Sequence, residues 1–73
     1  MRIWELAVQG LVCPGPIYQS EEILKLMSKG DRLIIRADSH LVAYNLMDWA
    51  EGKGLSAKYQ EIEGDEWEVI VDL

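Results

Sequence analysis

A cysteine thiolate is the side-chain nucleophile most readily available near neutral pH, and this chain has one cysteine, Cys13. A single cysteine cannot close an internal disulfide, and structural zinc sites usually take two or more. An inert buried thiol, an intermolecular bridge and a reactive thiol remain open. The surrounding residues are Gly10-Leu11-Val12-Cys13-Pro14-Gly15-Pro16, and the patterns on either side place them at a strand-to-helix junction. A thiol at a helix N-terminus feels the positive end of the macrodipole, which favours the thiolate. Free backbone N–H groups there can also receive an anion. A persulfide, a sulfenate or a thiosulfate oxygen would suit such a place. Pro14 and Pro16 each lack an N–H and fix φ, so together they stiffen the first turn and remove two of its orphan donors. Gly15 between them has no side chain to obstruct a partner. The same residues also read as a small N-cap followed by ordinary helix starters.

The other reactive side chains are sparse. His40 is the only histidine. Two residues after Asp38, at a helix start, it reads as an exposed first-turn residue or as a proton donor near Cys13. Glu21 and Glu22 lie within two turns of the first helix's start, where a carboxylate is electrostatically favoured and can meet a basic partner. Lys25 and Lys29 read as solvated. Trp4 and Trp67 are expected in the core; an exposed Trp49 would be an interface candidate. There is no metal-ligand cluster, Gly-rich phosphate loop or Ser/His/Asp set, so neither metal nor cofactor is expected.

The elements that must position these residues follow from periodicity. Residues 2–8 suggest a strand, with Trp4, Leu6 and Val8 on one face. Gly10 breaks it, and a helix is expected from Cys13 or Pro14 to about Ser28. Its apolar face would hold Ile17, Leu24 and Met27, widened by Ile23 and Leu26, with Gly30 as a stop. Leu33-Ile34-Ile35 reads as a buried central strand. Asp38 or Ser39 can cap a second helix over 40–52 that turns Val42, Ala43, Leu46, Met47 and Ala50 inward and ends at Gly52 and Gly54. The last third is a hairpin. Ala57, Tyr59 and Glu61 alternate with Lys58, Gln60 and Ile62, Gly64-Asp65 turns the chain, and Trp67, Val69, Val71 and Leu73 share a face. The order βαβαββ implies an α/β two-layer sandwich, a four-stranded mixed sheet with both helices on one face. Trp4, Leu6, Leu33, Ile35, Leu46, Val69 and Val71 should be mostly buried.

Length and charge bound the rest. At 73 residues the chain is one domain, residues 1–73, and its 49% hydrophobic content suffices for a core. The net charge of −6 repels phosphate backbones, so nucleic acid is not an expected partner. No apolar stretch approaches the ~20 residues of a membrane span. Glu5 and Gln9 interrupt any signal-peptide apolar region, so a cytoplasmic location is expected.

Cys13-Pro14-Gly15-Pro16 resembles the Cys-Pro-x-Pro motif of TusA/SirA-like proteins. The likeness extends over essentially the whole chain: its size, its element order, Gly10 ahead of the motif and Asp38 after the second strand. It implies a sulfurtransferase that forms a persulfide on Cys13 and passes the sulfur to an acceptor protein. Trp49-Ala50, Tyr59-Gln60-Glu61-Ile62, Trp67-x-Val69-x-Val71 and Val12 before the cysteine resemble the YeeD/TsuB-type subgroup. That subgroup implies thiosulfate as donor and the cytoplasmic side of a YeeE/TsuA-type membrane transporter as partner. The alternatives are a relay from a cysteine desulfurase to tRNA thiolation and a non-catalytic regulatory or adaptor domain. Two positions depart from the family pattern. Ala7 stands where many members have Asp, and Ser39-His40 stands where many have Asp-Pro. Gly10, Pro14, Gly15 and Pro16 are thus the expected frame of the site, with Asp38, His40 and Glu21 as candidate auxiliary or partner-binding residues.

Overall fold

The computed structural model describes residues 1–12 and 14–73. The elements run β1 (Ile3–Ala7), α1 (Gly15–Leu24), β2 (Arg32–Ala37), α2 (His40–Gly52), β3 (Ser56–Glu63) and β4 (Glu66–Asp72). The sheet order is β1-β2-β4-β3. β1 pairs parallel with β2, and β4 pairs antiparallel with both β2 and β3. This is the expected mixed four-stranded sheet, with βαβ connectivity at one edge and a hairpin folded back so that β4 reaches the centre.

Period-two alternation sets the two faces. Leu33, Ile35 and Ala37 of β2, and Val69 and Val71 of β4, are fully buried with Val8, Ala43, Leu46 and Ala50, while Val42 is nearly so. Burying side chains such as Leu33, Ile35 or Leu46 stabilises the fold by ~1.5–3 kcal/mol each. Trp4, Leu6, Ile17, Ile23, Leu24, Met27 and Trp67 are half-buried and pack against this core. Of the seven expected core residues, five are therefore fully buried and two lie at its margin. The margin follows from topology, because β1 is an edge strand and its inner face is covered from one side only.

α2 has the expected bounds. Ser39 is its N-cap, accepting from the Val42 N–H. Its C-terminus is a Schellman motif. Leu55 N–H bonds the Ala50 carbonyl at 3.1 Å and Gly54 N–H bonds that of Glu51 at 2.9 Å, with Gly54 at φ +83°, where only glycine sits without strain.

α1 departs from expectation at its far end, stopping at Leu24 rather than near Ser28. Leu26 N–H turns back to the Ile23 carbonyl and Met27 N–H to that of Leu24, which tightens the last turn. The Ser28 N–H is captured by the Asp31 carboxylate at 3.0 Å. The same carboxylate accepts the Arg2 backbone N–H and the Trp4 indole N–H. With three donors, led by Ser28 and then Trp4, the Asp31 pKa lies below its ordinary value. This long-range hub wins over further helix. Leu26, expected to widen the apolar face, is instead 66% exposed.

On the hairpin, Ala57 and Tyr59 face inward. Ile62 is half exposed on the outward side with Lys58 and Gln60, as the alternation expects, whereas Glu61, inward by the same count, is exposed; the β3–β4 register shifts between Glu61 and Glu63.

Candidate functional site

The segment around Cys13 leaves β1 through a tight turn. Val8 is buried and its N–H still pairs with the Arg36 carbonyl at 2.9 Å. Leu11 N–H then bonds back to the Val8 carbonyl at 3.1 Å, with Gly10 third in the turn at φ +81°. A Cβ at Gly10 would meet nothing within 4 Å, so glycine is needed there for its backbone angle rather than for space. The Gly10 N–H donates to Asp38 Oδ2 at 2.9 Å. Asp38 thus ties the first loop to the end of β2, leaving the capping of α2 to Ser39.

Cys13 lies outside the described residues, and its expected place at the helix start and its accessibility lie there with it. The residues after it are defined. Pro14 is the exposed N-cap, Gly15 the first helical residue and Pro16 the second. Pro16 is fully buried. Its carbonyl accepts a 2.8 Å bond from the buried Ser20 hydroxyl. Pro16 is therefore a packing residue as well as a conformational one.

The N-terminus of α1 offers few amides at residues 14–16. Pro14 and Pro16 have none, and the Gly15 N–H is already bonded to the Val12 carbonyl at 3.0 Å. The field of the aligned peptides remains, but the amide cradle expected for an anion is largely closed at these positions.

Beside this segment lies a cleft of about 470 Å³ between residues 10–12 and the first turns of α2, lined by Leu11, Val12, Asp38, Leu41, Val42 and Asn45 among others. Val12 is 80% and Leu41 66% exposed. Leu41 was missed in the sequence reading. The available signal is that it falls one position off the apolar face of α2, where a solvated helix would carry a polar residue.

Gly10, Asp38, Pro14, Gly15 and Pro16 thus frame one loop. His40 and Glu21 are occupied elsewhere. His40 is exposed; its Nε2 lies 3.1 Å from the Tyr59 hydroxyl and its ring 4.7 Å from that of Trp67, on the β3–β4 side. Glu21 accepts the Trp49 indole N–H at 3.1 Å and pairs with Lys53 at 3.5 Å. The Trp49 bond and then the Lys53 charge hold its pKa below the ordinary glutamate value. Trp49, half-buried against the core, is thereby a link between α1 and α2.

The family model described as sulfurtransferase TusA matches residues 5–72. The chain belongs to the TusA family. The family role is sulfur transfer and carriage, in which sulfur is relayed between partner proteins. Among solved structures, the chain is similar to the crystal structure of a SirA-like protein from Desulfitobacterium hafniense, with 26% identity, a TM-score of 0.79, and coverage of 97% of this chain and 95% of that one. Comparison with curated proteins returns no match. Among the described residues no group of side chains could hold a metal ion, and no helix is long and apolar enough to cross a membrane.

Proposed function

We propose that this TusA-family protein carries sulfur as a persulfide on Cys13, in thiosulfate uptake and utilisation. The observation behind the reading is the family match over residues 5–72 in a chain with one cysteine. A covalent sulfur carrier needs a thiol, and Cys13 is the only one. The buried Pro16 on one side, and Gly10 and Asp38 on the other, frame the segment that bears it.

In the loading step the Cys13 thiolate attacks the sulfane sulfur of thiosulfate. The S–S bond of thiosulfate breaks, sulfite leaves with the electron pair, and Cys13 holds a persulfide anion. In the unloading step an acceptor protein's thiolate attacks the outer sulfur, and the Cys13 thiolate departs. No net oxidant or reductant is consumed. The chain has no second cysteine to resolve the persulfide, so the acceptor thiol is another molecule's. The cytoplasmic face of a YeeE/TsuA-type transporter is the proposed source of thiosulfate.

Intact-mass spectrometry tests this. After incubation with thiosulfate, the protein should gain one sulfur, and Cys13→Ser should gain none. Loading only by a cysteine desulfurase with free cysteine would replace thiosulfate by the tRNA-thiolation relay. Loading by no donor would leave an adaptor domain.

A further inference from the structure

The path of the chain into Cys13 rests on few anchors. Val8 is buried and Leu11 half-buried, while Val12 is 80% exposed. Among the described residues the next fully buried side chain is that of Pro16. Among the described residues between Val8 and Pro16, the bonds beyond the turn include Gly10 N–H to Asp38, Gly15 N–H to the Val12 carbonyl, Tyr18 N–H to the Pro14 carbonyl, and a longer bond of 3.3 Å from the exposed Gln9 side chain to Glu66. The bond to Asp38 ties the backbone of this loop to the segment that follows β2. It spans 28 positions of sequence and starts from the residue after the fully buried Ala37, which is a rigid base.

We propose that Asp38 is a positioning residue for Cys13, acting through the Gly10 amide. The inference rests on the sulfur-carrier reading for its consequence but not for its geometry. The Leu11–Val8 turn bond leaves the Gly10 N–H unused, and Asp38 supplies its acceptor. With that acceptor gone, the Gln9–Gly10 peptide can rotate against the Leu11–Val8 turn bond, and the loop that leads to Cys13 is held less firmly. The carboxylate acts as an acceptor, not as a charge: one oxygen at 2.9 Å from the amide nitrogen does the work. An asparagine carbonyl oxygen can take the same place. Misplacement by about 1 Å at a reacting group costs up to ~100-fold in rate, so a loosened loop should slow sulfur loading roughly tenfold within that bound.

The experiment compares the wild type, Asp38→Ala and Asp38→Asn by four readouts: thermal melting, amide hydrogen exchange at Gly10, iodoacetamide alkylation of Cys13 at a pH where the thiol is fully ionised, and loading by thiosulfate or a desulfurase persulfide. In Asp38→Ala the Gly10 amide should exchange faster, alkylation should change in rate, and loading should slow by about tenfold. Melting should still be cooperative. Asp38→Asn should restore all of these toward wild type. Loading by Asp38→Ala at the wild-type rate overturns the inference. So does an Asp38→Asn that is as slow as alanine, because the charge rather than the acceptor would then be at work. A wild type that takes sulfur from no donor defeats the carrier reading instead. In that case unchanged Gly10 exchange and alkylation in Asp38→Ala overturn the positioning role, and changes in both support it.

Discussion

Pro14 and Pro16 flank the same glycine and look equivalent in sequence, yet their replacement should have unequal effects. Pro16 is fully buried and Pro14 exposed. Pro16→Ala removes two buried ring carbons, at ~0.8 kcal/mol per CH₂, or about 1.6 kcal/mol. It also frees the unfolded chain, which costs a further ~0.4–1 kcal/mol. Little of proline's interior-helix penalty is recovered, because Pro16 sits in the first turn where proline is tolerated. The total is about 2–2.6 kcal/mol of lost stability. Unfolding entropy of ~2.1 cal/mol/K per residue gives roughly 0.15 kcal/mol/K for this chain, so the melting temperature should fall by about 15 °C. Pro14→Ala loses only the unfolded-chain term, ~0.4–1 kcal/mol, or about 3–7 °C, since Pro14 makes no side-chain cap bond. Differential scanning calorimetry of both variants checks the ranking. Equal losses, or a greater loss for Pro14→Ala, would show that the first turn is held by rigidity alone and that the burial argument for Pro16 is wrong.

Three further outcomes are expected. Gly15 is helical and stands directly before Pro16, whose Cδ crowds the Cβ of a preceding residue in the helical region, so Gly15→Ala should gain none of the ~0.5–1 kcal/mol that replacing a mid-helix glycine brings, as thermal melting would show. If partners need the bare surface beside Cys13, the same variant should slow transfer to a protein acceptor but not to a small thiol. Asp31 has a depressed pKa in the fold; its stabilising contribution is present above the unfolded-state pKa and is lost as pH falls through the lower folded value. Asp31→Asn should therefore flatten the acid side of the stability curve below about pH 4, measured by denaturant midpoints against pH. Trp49→Phe deletes the indole donor to Glu21, the leading cause of that carboxyl's lowered pKa. An NMR titration of Glu21 should show its pKa rise toward the ordinary value, and no change would mean Lys53 alone sets it.

The order of elements, the bounds of α2, the inward residues of β2 and β4, and the lone thiol in its Gly/Pro frame are all legible along the chain. Each of these is a local signal: a period of two or 3.6, a cap residue, a glycine stop or a motif of adjacent residues. Tertiary structure decided what local signals do not carry. Only strand pairing could put β4 between β2 and β3. The Asp31 hub beyond the early end of α1 is a tertiary feature, because two of its three donors come from Arg2 and Trp4, 29 and 27 positions away. By position Asp38 reads as a helix cap, and Glu21 as a carboxylate near a helix start, open to a basic partner. Their partners, Gly10 in one case and Trp49 with Lys53 in the other, lie about thirty positions away in sequence. A carboxylate's hydrogen bonds are set by which donors the fold brings within reach, and periodicity along the chain holds no record of those distances.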